Sequence, residues 1–289
     1  MKNKGFIGLG VMGFPMAGHI SEAGYEVRVF NRSNNKAVSW AKKYSGEICS
    51  SPSEIGKTCD MVFLCVGNDA DVEEVVLKKE GLIETMKNGG IIIDHTTTSA
   101  HLARKIFKET AKRQIHYLDA PLSGGEIGAK EGALTIMCGG DEKAFEEARK
   151  VMKLYSKFSI RMGESGTGQL TKMVNQICIS GLIQSLAEGI NFSENAGLDT
   201  KKVIEVISKG AAQSWQMDNR WKTMLEDEYD HGFAVDWMIK DLGFIKKEAS
   251  LNNSTIEITN LVLSFYEEIK DKGGGKFDTS SLLRRIQEK

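Results

Sequence analysis

The chain has 289 residues, 41% of them hydrophobic, enough apolar material for one large or two modest domains and too much for a disordered or fibrous chain. Lys and Arg total 38 against 39 Asp and Glu, so the formal charge of -1 excludes a global pull toward nucleic acid or an anionic membrane, and any anion site must be local. Five cysteines (Cys49, Cys59, Cys65, Cys138, Cys178) are odd in number and lack a CxxC pair, which argues against a disulfide scaffold or zinc site and fits a reducing compartment. Residues 1–4 are basic, but Gly8, Gly10 and Gly13 interrupt the apolar stretch behind them. No apolar run approaches the ~20 residues of a membrane helix, so a cytoplasmic protein is expected.

Up to about residue 163, short apolar runs alternate with helical patterns. Residues 5–8, 27–30, 61–66, 91–94, 115–118 and 134–138 are rich in β-branched or aromatic types, as strands buried on both faces are. Helix starts stand between them: Ser51-Pro52-Ser53-Glu54 has the spacing of a capping box, and Ser99 precedes an amphipathic stretch ending near Arg113. Strand then helix, repeated, predicts an α/β domain over residues 1–163, a doubly wound and mostly parallel sheet with crossover helices. After Gly163 the strand signal stops, and residues 164–289 are predicted to form an all-α domain. Residues 166–196 read as one helix, ~45 Å long at 1.5 Å per residue and apolar enough to be buried on most sides. Helical patterns follow over 200–209, 214–225, 236–251, 255–271 and 279–287, with Gly273-Gly274-Gly275 as a turn. So long and apolar a helix suits a crossing between domains or subunits, and a homodimer or homotetramer is the expected assembly.

Gly8-Leu9-Gly10-Val11-Met12-Gly13 fits GxGxxG in the context that gives the motif meaning: a strand runs into it, and a helical pattern with Pro15 in its first turns leads out. The first glycine permits a tight turn, the second lets a pyrophosphate approach the backbone, and the third allows helix and strand to pack closely. The positive end of the helix then faces the phosphates. An NAD site would place Asp or Glu about 20 residues further on. Here the chain reads Asn31-Arg32-Ser33-Asn34-Asn35-Lys36, with no carboxylate. Arg32, Ser33 and Lys36 suit a 2'-phosphate, so NADP(H) is expected to be preferred, with NAD(H) as the alternative.

With these residues in hand, the chain resembles the β-hydroxyacid dehydrogenases, the family of 3-hydroxyisobutyrate dehydrogenase, tartronate semialdehyde reductase and glyoxylate/succinic semialdehyde reductase. Residues 6–17 are similar to the family's opening signature, Asp119-Ala120-Pro121-Leu122-Ser123-Gly124-Gly125 to its substrate loop, and residues 168–175 to its catalytic helix. Lys240-Asp241-Leu242 and Gly275-Lys276-Phe277-Asp278 follow in the same order. The chain departs from the family at Thr96-Thr97, preceded by His95, where Ser-Thr is common, and at Leu122, where Val is usual. The resemblance implies an N-terminal Rossmann domain, an all-helical C-terminal domain and a cleft between them where nicotinamide meets substrate. It also marks Val66-Gly67-Asn68 and Thr96-Thr97 as cofactor loops, since both follow strands at the sheet's expected carboxyl edge.

Oxidising a hydroxyl to a carbonyl requires hydride transfer to the nicotinamide and a base for the hydroxyl proton. Lys172 is the candidate, its pKa open to depression by a neighbouring cationic nicotinamide, and Asn175 lies about one helical turn on to orient it or bond the substrate. Substrates of this family carry a carboxylate. Ser123, the backbone of Gly124 and Gly125, and Lys240 are its candidate partners, while Phe233, with Lys240 also placed near the cofactor, and Trp237 would wall the site. His95 is the rival acid-base group because it follows a strand at the cofactor edge. The other histidines, His19, His101, His116 and His231, show no metal-ligand spacing, and no metal is expected. The leading expectation is an NADP(H)-dependent dehydrogenase or semialdehyde reductase acting on a small carboxylate-bearing hydroxy acid or aldehyde. An imine reductase of the same architecture and a catalytically silent nucleotide-binding module are the alternatives. Lys172 argues against the first, and the intact Lys172, Asn175 and Ser123-Gly124-Gly125 against the second.

Overall fold

The computed structural model describes residues 3–287, and the chain divides between Lys172 and Met173 into two compact units. In the first, one sheet contains β1 (Asn3–Ile7), β2 (Glu26–Phe30), β3 (Glu47–Ile48), β4 (Met61–Leu64), β5 (Ile91–Asp94), β6 (His116–Asp119), β7 (Leu122–Ser123), β8 (Leu134–Gly139) and β9 (Ser156–Gly163). The order is β3-β2-β1-β4-β5-β6-β8-β7, and β9 pairs with β8. Strands β1 to β6 run parallel to one another, β8 runs antiparallel to β6 and β7, and β9 is parallel to β8. The fold class is therefore as read, a Rossmann-type and mostly parallel sheet followed by a helical region. The strand order turns about at β1, which lies between β2 and β4. In such sheets ligands bind outside the carboxyl ends of the strands at that point.

Helices α1 (Gly13–Glu22), α2 (Asn34–Lys43), α3 (Pro52–Thr58), α4 (Asp69–Val76), α5 (Leu82–Thr85), α6 (Ala100–Ala111), α7 (Gly125–Lys130) and α8 (Glu142–Met152) surround the sheet, and α9 (Thr167–Asn195) starts in this unit. The apolar runs are continuous because alternate side chains feed two cores. Phe6, Met61, Phe63, Ile91 and Ile93 meet Met16 and Ile20 of α1 and Phe145 and Met152 of α8. Ile7, Val62, Leu64 and Ile92 meet Ile55 of α3, Val72 of α4 and Ile106 of α6. Each fully buried side chain of this size contributes roughly 1.5 to 3 kcal/mol. The expected caps form: Ser51 Oγ accepts from Glu54 N at 3.3 Å and Ser99 Oγ from Leu102 N at 3.1 Å. Glu54 returns its carboxylate to Ser50 N, at 2.7 Å, one residue before the position a standard box uses.

Two features depart from the sequence pattern. Strand β9 has no apolar run to announce it: Ser156 and Ser159 are its buried positions, while Phe158, Ile160 and Met162 are exposed. Among the described residues it pairs in the sheet with β8 alone, so it need not be apolar on both faces. Helix α9 is buried or half-buried over most of its length but leaves one stripe uncovered within the chain, where Val174 is 60% and Phe192 72% exposed.

In the second unit the rest of α9 is followed by α10 (Thr200–Ile207), α11 (Trp215–Leu225), α12 (Val235–Asn252), α13 (Glu257–Ile269) and α14 (Leu282–Ile286). A wider π turn at Lys270–Gly274 carries Gly273 at φ 88°, which makes it the turn expected from the triple glycine. Helices α12 and α13 pack on each other, and their buried residues include Met238, Leu242 and Ile245 on one and Val262, Leu263 and Tyr266 on the other. Among the described residues no helix is long and apolar enough to cross a membrane.

Candidate active site

The glycine turn joins β1 to α1. Gly8 has φ +97°, and a Cβ there would lie 2.2 Å from the carbonyl oxygen of Cys65, while one on Gly13 would lie 1.9 Å from that of Gly8. Nothing stands within 4 Å of the Cβ position of Gly10. Packing thus demands Gly8 and Gly13 and leaves open space over Gly10, beside the exposed Val11 and half-buried Met12. Helix α1 has no side-chain cap and no acid in its first turn, so its positive end can receive a phosphate. A dinucleotide pyrophosphate fits this turn.

At the end of β2, Asn31 braces the turn. Its Oδ1 accepts from Leu9 N at 2.8 Å, and its Nδ2 donates to the carbonyl of Ser33 at 3.0 Å. Arg32 and Lys36 are exposed, and Ser33 stands at the N-cap of α2 without using its hydroxyl as a cap. A carboxylate does approach, from α4: Asp71 Oδ1 lies 3.0 Å from Arg32 Nη1, and Asp71 Oδ2 accepts from Gly67 N at 3.2 Å. Asn68 caps that helix through Asp71 N at 3.1 Å. The loops after β4 and β5 are joined where Val66 N donates to Thr96 Oγ1 at 3.1 Å. Thr96 N in turn donates to Asp94 Oδ1 at 2.9 Å, whose other oxygen accepts from the Tyr117 hydroxyl at 2.7 Å. Burial pushes the Asp94 carboxyl up to about 6. Thr97 is half-buried at the same edge.

His95 belongs to the core. Its Nδ1 lies 2.7 Å from the carbonyl of Ala120, its Nε2 3.0 Å from the Tyr155 hydroxyl, and its ring stacks on Phe63. A carbonyl can only accept, so Nδ1 carries the proton and Nε2 accepts from Tyr155. Burial lowers its pKa to about 4. Both ring nitrogens are committed, and the rival acid-base candidate is a buried packing residue.

Asp119, at the end of β6, holds the start of α9. Its Oδ1 accepts from Gly166 N at 2.7 Å and its Oδ2 from Gln169 N at 3.0 Å, and burial pushes this carboxyl too up to about 6. The carboxylate so meets N–H groups that the helix cannot satisfy itself. Lys172, buried, lies three residues beyond Gln169, about one helical turn further on. After Asp119 the chain runs on through β7 to the half-buried Ser123 and the exposed Gly124 and Gly125, whose φ values of +124° and +61° lie where glycine is favoured.

In the second unit, Asn175 Nδ2 donates to Gln176 Oε1 at 2.8 Å, and Gln176 Nε2 donates to Asp241 Oδ2 at 2.7 Å. Asp241 Oδ1 lies 3.3 Å from Lys240 Nζ, which sits over the rings of Trp237 and Phe244. One polar chain thus links Asn175 to Lys240. Phe233 is half-buried and fixed by its backbone: its N–H donates to Asp278 Oδ2 at 2.8 Å, and its carbonyl accepts from Thr279 N at 2.9 Å. Asp278, fully buried, also pairs with Arg220 at 3.2 Å. Among the described residues, no group of three or more His, Cys, Asp or Glu could hold a metal.

Residues 3–174 match the model of the NAD-binding domain of 6-phosphogluconate dehydrogenase, and residues 166–286 match that of the NAD-binding domain of NADP-dependent 3-hydroxyisobutyrate dehydrogenase. The chain is 52% identical to an uncharacterized oxidoreductase of Shewanella frigidimarina, over 99% of both chains. It is 37% identical to probable 3-hydroxyisobutyrate dehydrogenase-like 1, mitochondrial, of Arabidopsis thaliana, over 98% of this chain and 84% of that one. A crystal structure of 3-hydroxyisobutyrate dehydrogenase from Salmonella typhimurium superposes with a TM-score of 0.88 at 26% identity, over 98% and 99% of the two chains. The chain belongs to the β-hydroxyacid dehydrogenase family.

As a β-hydroxyacid dehydrogenase relative, the chain is an oxidoreductase with NAD(P)-binding domains. The residues that sequence reasoning passed over are Asp71, Gln169, Gln176, Asp241 and Asp278, each bonded to or beside a residue it singled out. Gln169, Asp241 and Asp278 lay within quoted motifs, where their positions were a signal but their partners were not visible. Asp71 and Gln176 carried no such mark.

Proposed function

We propose that this chain is an NADP(H)-preferring β-hydroxyacid dehydrogenase or semialdehyde reductase, acting reversibly on a small carboxylate-bearing hydroxy acid or aldehyde. The observation that carries the cofactor preference is the end of β2, where Asn31 is committed to the glycine turn and the exposed Arg32, Ser33 and Lys36 follow. No carboxylate stands on that strand end to hold the two ribose hydroxyls of NAD(H). The Arg32–Asp71 pair is an exposed one, worth at most ~1 kcal/mol, against ~1.5 to 3 kcal/mol for a charged hydrogen bond to a 2'-phosphate, so the phosphate prevails.

The nicotinamide, when bound, supplies or accepts the hydride. Lys172 holds the proton at the substrate oxygen, giving it up as a carbonyl is reduced and taking it back as an alcohol is oxidised. Asn175 orients that exchange or bonds the substrate. Ser123 Oγ, the N–H groups of Gly124 and Gly125 and the Lys240 ammonium recognise the carboxylate, and Phe233 supplies an apolar wall. The test is a spectrophotometric panel of glyoxylate and the semialdehydes of succinate, tartronate and methylmalonate, with their alcohols, under NADPH and NADH. Turnover of at least one acid with higher kcat/KM for NADPH is expected. Equal kcat/KM for the two nucleotides would overturn the cofactor preference, and no turnover across the panel would overturn the activity. Ser123→Ala and Lys240→Ala should raise KM more for an acid than for an aldehyde lacking the carboxylate.

A further inference from the structure

One side chain joins the loop after β5 to the helix that carries Lys172. Gln169 is fully buried, and its amide is used at both ends: Oε1 accepts from Thr98 N at 3.0 Å, and Nε2 donates to the carbonyl of Thr96 at 2.8 Å. Its own N–H is held by Asp119. The first turn has little freedom to slide, since a Cβ at Gly168 would lie 2.4 Å from the carbonyl oxygen of Asp119 and 2.5 Å from that of Met137. From Thr96 the bonds continue outward through Val66 to the loop after β4, where Gly67 meets Asp71 and Asp71 meets Arg32. Glutamine is the residue type for this joint because one donor and one acceptor face a carbonyl and an N–H of fixed polarity. A carboxylate would keep the acceptor and lose the donor, and an apolar side chain would lose both.

We propose that Gln169 is a positioning residue that couples nucleotide occupancy at the 96–98 loop to the placement of Lys172. The proposal rests on the reading above that this loop meets the nucleotide and that Lys172 handles the proton. Through Gln169 the loop and the first turn of α9 are tied as one unit, and ordering of the loop by NADP(H) firms the backbone under Lys172 before substrate arrives.

The test measures backbone hydrogen exchange over residues 96–99 and 168–175 of the full-length protein, with and without saturating NADPH, alongside the NADPH dissociation constant from fluorescence titration. In the native protein, NADPH slows exchange in both segments, by about fivefold or more in the second. In Gln169→Glu, and in Gln169→Met should the first not fold, NADPH still binds and still protects residues 96–99, but the protection of 168–175 disappears. With a substrate from the panel, kcat falls about tenfold while its KM moves less. A residue that merely supports the fold would lower stability and leave the NADPH-induced protection in place, which overturns the proposal. Binding of NADPH to the native protein without protection of 168–175 also overturns it and leaves the functional reading standing. Failure of both NADPH and NADH to bind overturns the functional reading, and the coupling falls with it.

Discussion

The ends of β2 and β5 lie at the same edge of one mostly parallel sheet, yet their polar residues live under opposite conditions. After β5, Asp94, His95, Thr96 and Thr98 are buried, and the first three have side-chain atoms bonded to protein groups. After β2, Arg32, Ser33 and Lys36 are exposed, and the one ion pair among them reaches across to Asp71. The difference teaches how to read polar residues at a ligand-binding edge. Where every donor and acceptor already has a protein partner, a substitution damages the scaffold. Where they are left to solvent, a substitution retunes a ligand. Lys172 is the instructive third case, a buried amine with a chemical task proposed for it.

The strongest break in the comparison is therefore Lys172→Ala. It should lower kcat by ~10²- to 10⁴-fold, the usual contribution of a general acid-base group, with the NADPH dissociation constant nearly unchanged. Native-like turnover by this variant would return the role to another group.

His95→Ala tests the buried edge. Loss of a packed ring and of the Tyr155 hydroxyl's partner should cost roughly 2 to 4 kcal/mol in denaturant unfolding, while the folded fraction keeps near-native kcat. A collapse of kcat at intact stability would reverse the assignment.

Arg32→Ala tests the exposed edge. It should weaken NADPH binding by roughly 10- to 100-fold, the value of one charged hydrogen bond, and leave NADH binding and unfolding stability within experimental scatter. Equal weakening of both nucleotides would show that Arg32 does not face the 2'-phosphate.

The smallest effect is on pH dependence. Burial pushes the carboxyls of Asp94 and Asp119 up to about 6 in the fold, against an ordinary value of 3.8. Their protonated forms are favoured by folding, so this stabilisation is full below the unfolded value and is lost as pH rises through about 6. His95 runs the other way: its folded pKa is about 4 against 6.5, so its contribution is full above 6.5 and is lost as pH falls toward 4. The native protein should consequently show a shallow profile. Between pH 7 and 5.5 it should gain about 1 kcal/mol relative to Asp94→Asn, measured by urea unfolding of both proteins. Parallel profiles would show that Asp94 is ionised throughout.

The glycine turn illustrates what was legible beforehand. Gly8 and Gly13 are required by contacts with residues near in sequence or on the adjoining strand, and a turn of that kind leaves its mark in residue type. The alternating strands and helices of the first unit were equally visible, because a strand buried on both faces must be apolar throughout. The short β3, the β7 segment and the edge strand β9 were not, since each lacks the length or the double burial that makes the pattern. By itself, the sequence determined the alternation of strands and helices and the helical second half, which rest on periodicity, and the family, which rests on the resemblance of its motifs. Tertiary structure alone decided which polar groups find partners. It sent both nitrogens of His95 into the core, brought Asp71 from α4 to Arg32, and set Gln169 against Thr96 and Thr98, more than seventy residues away along the chain. A hydrogen-bond partner is fixed by distance in space, and nothing in residue type or spacing encodes a separation of that length.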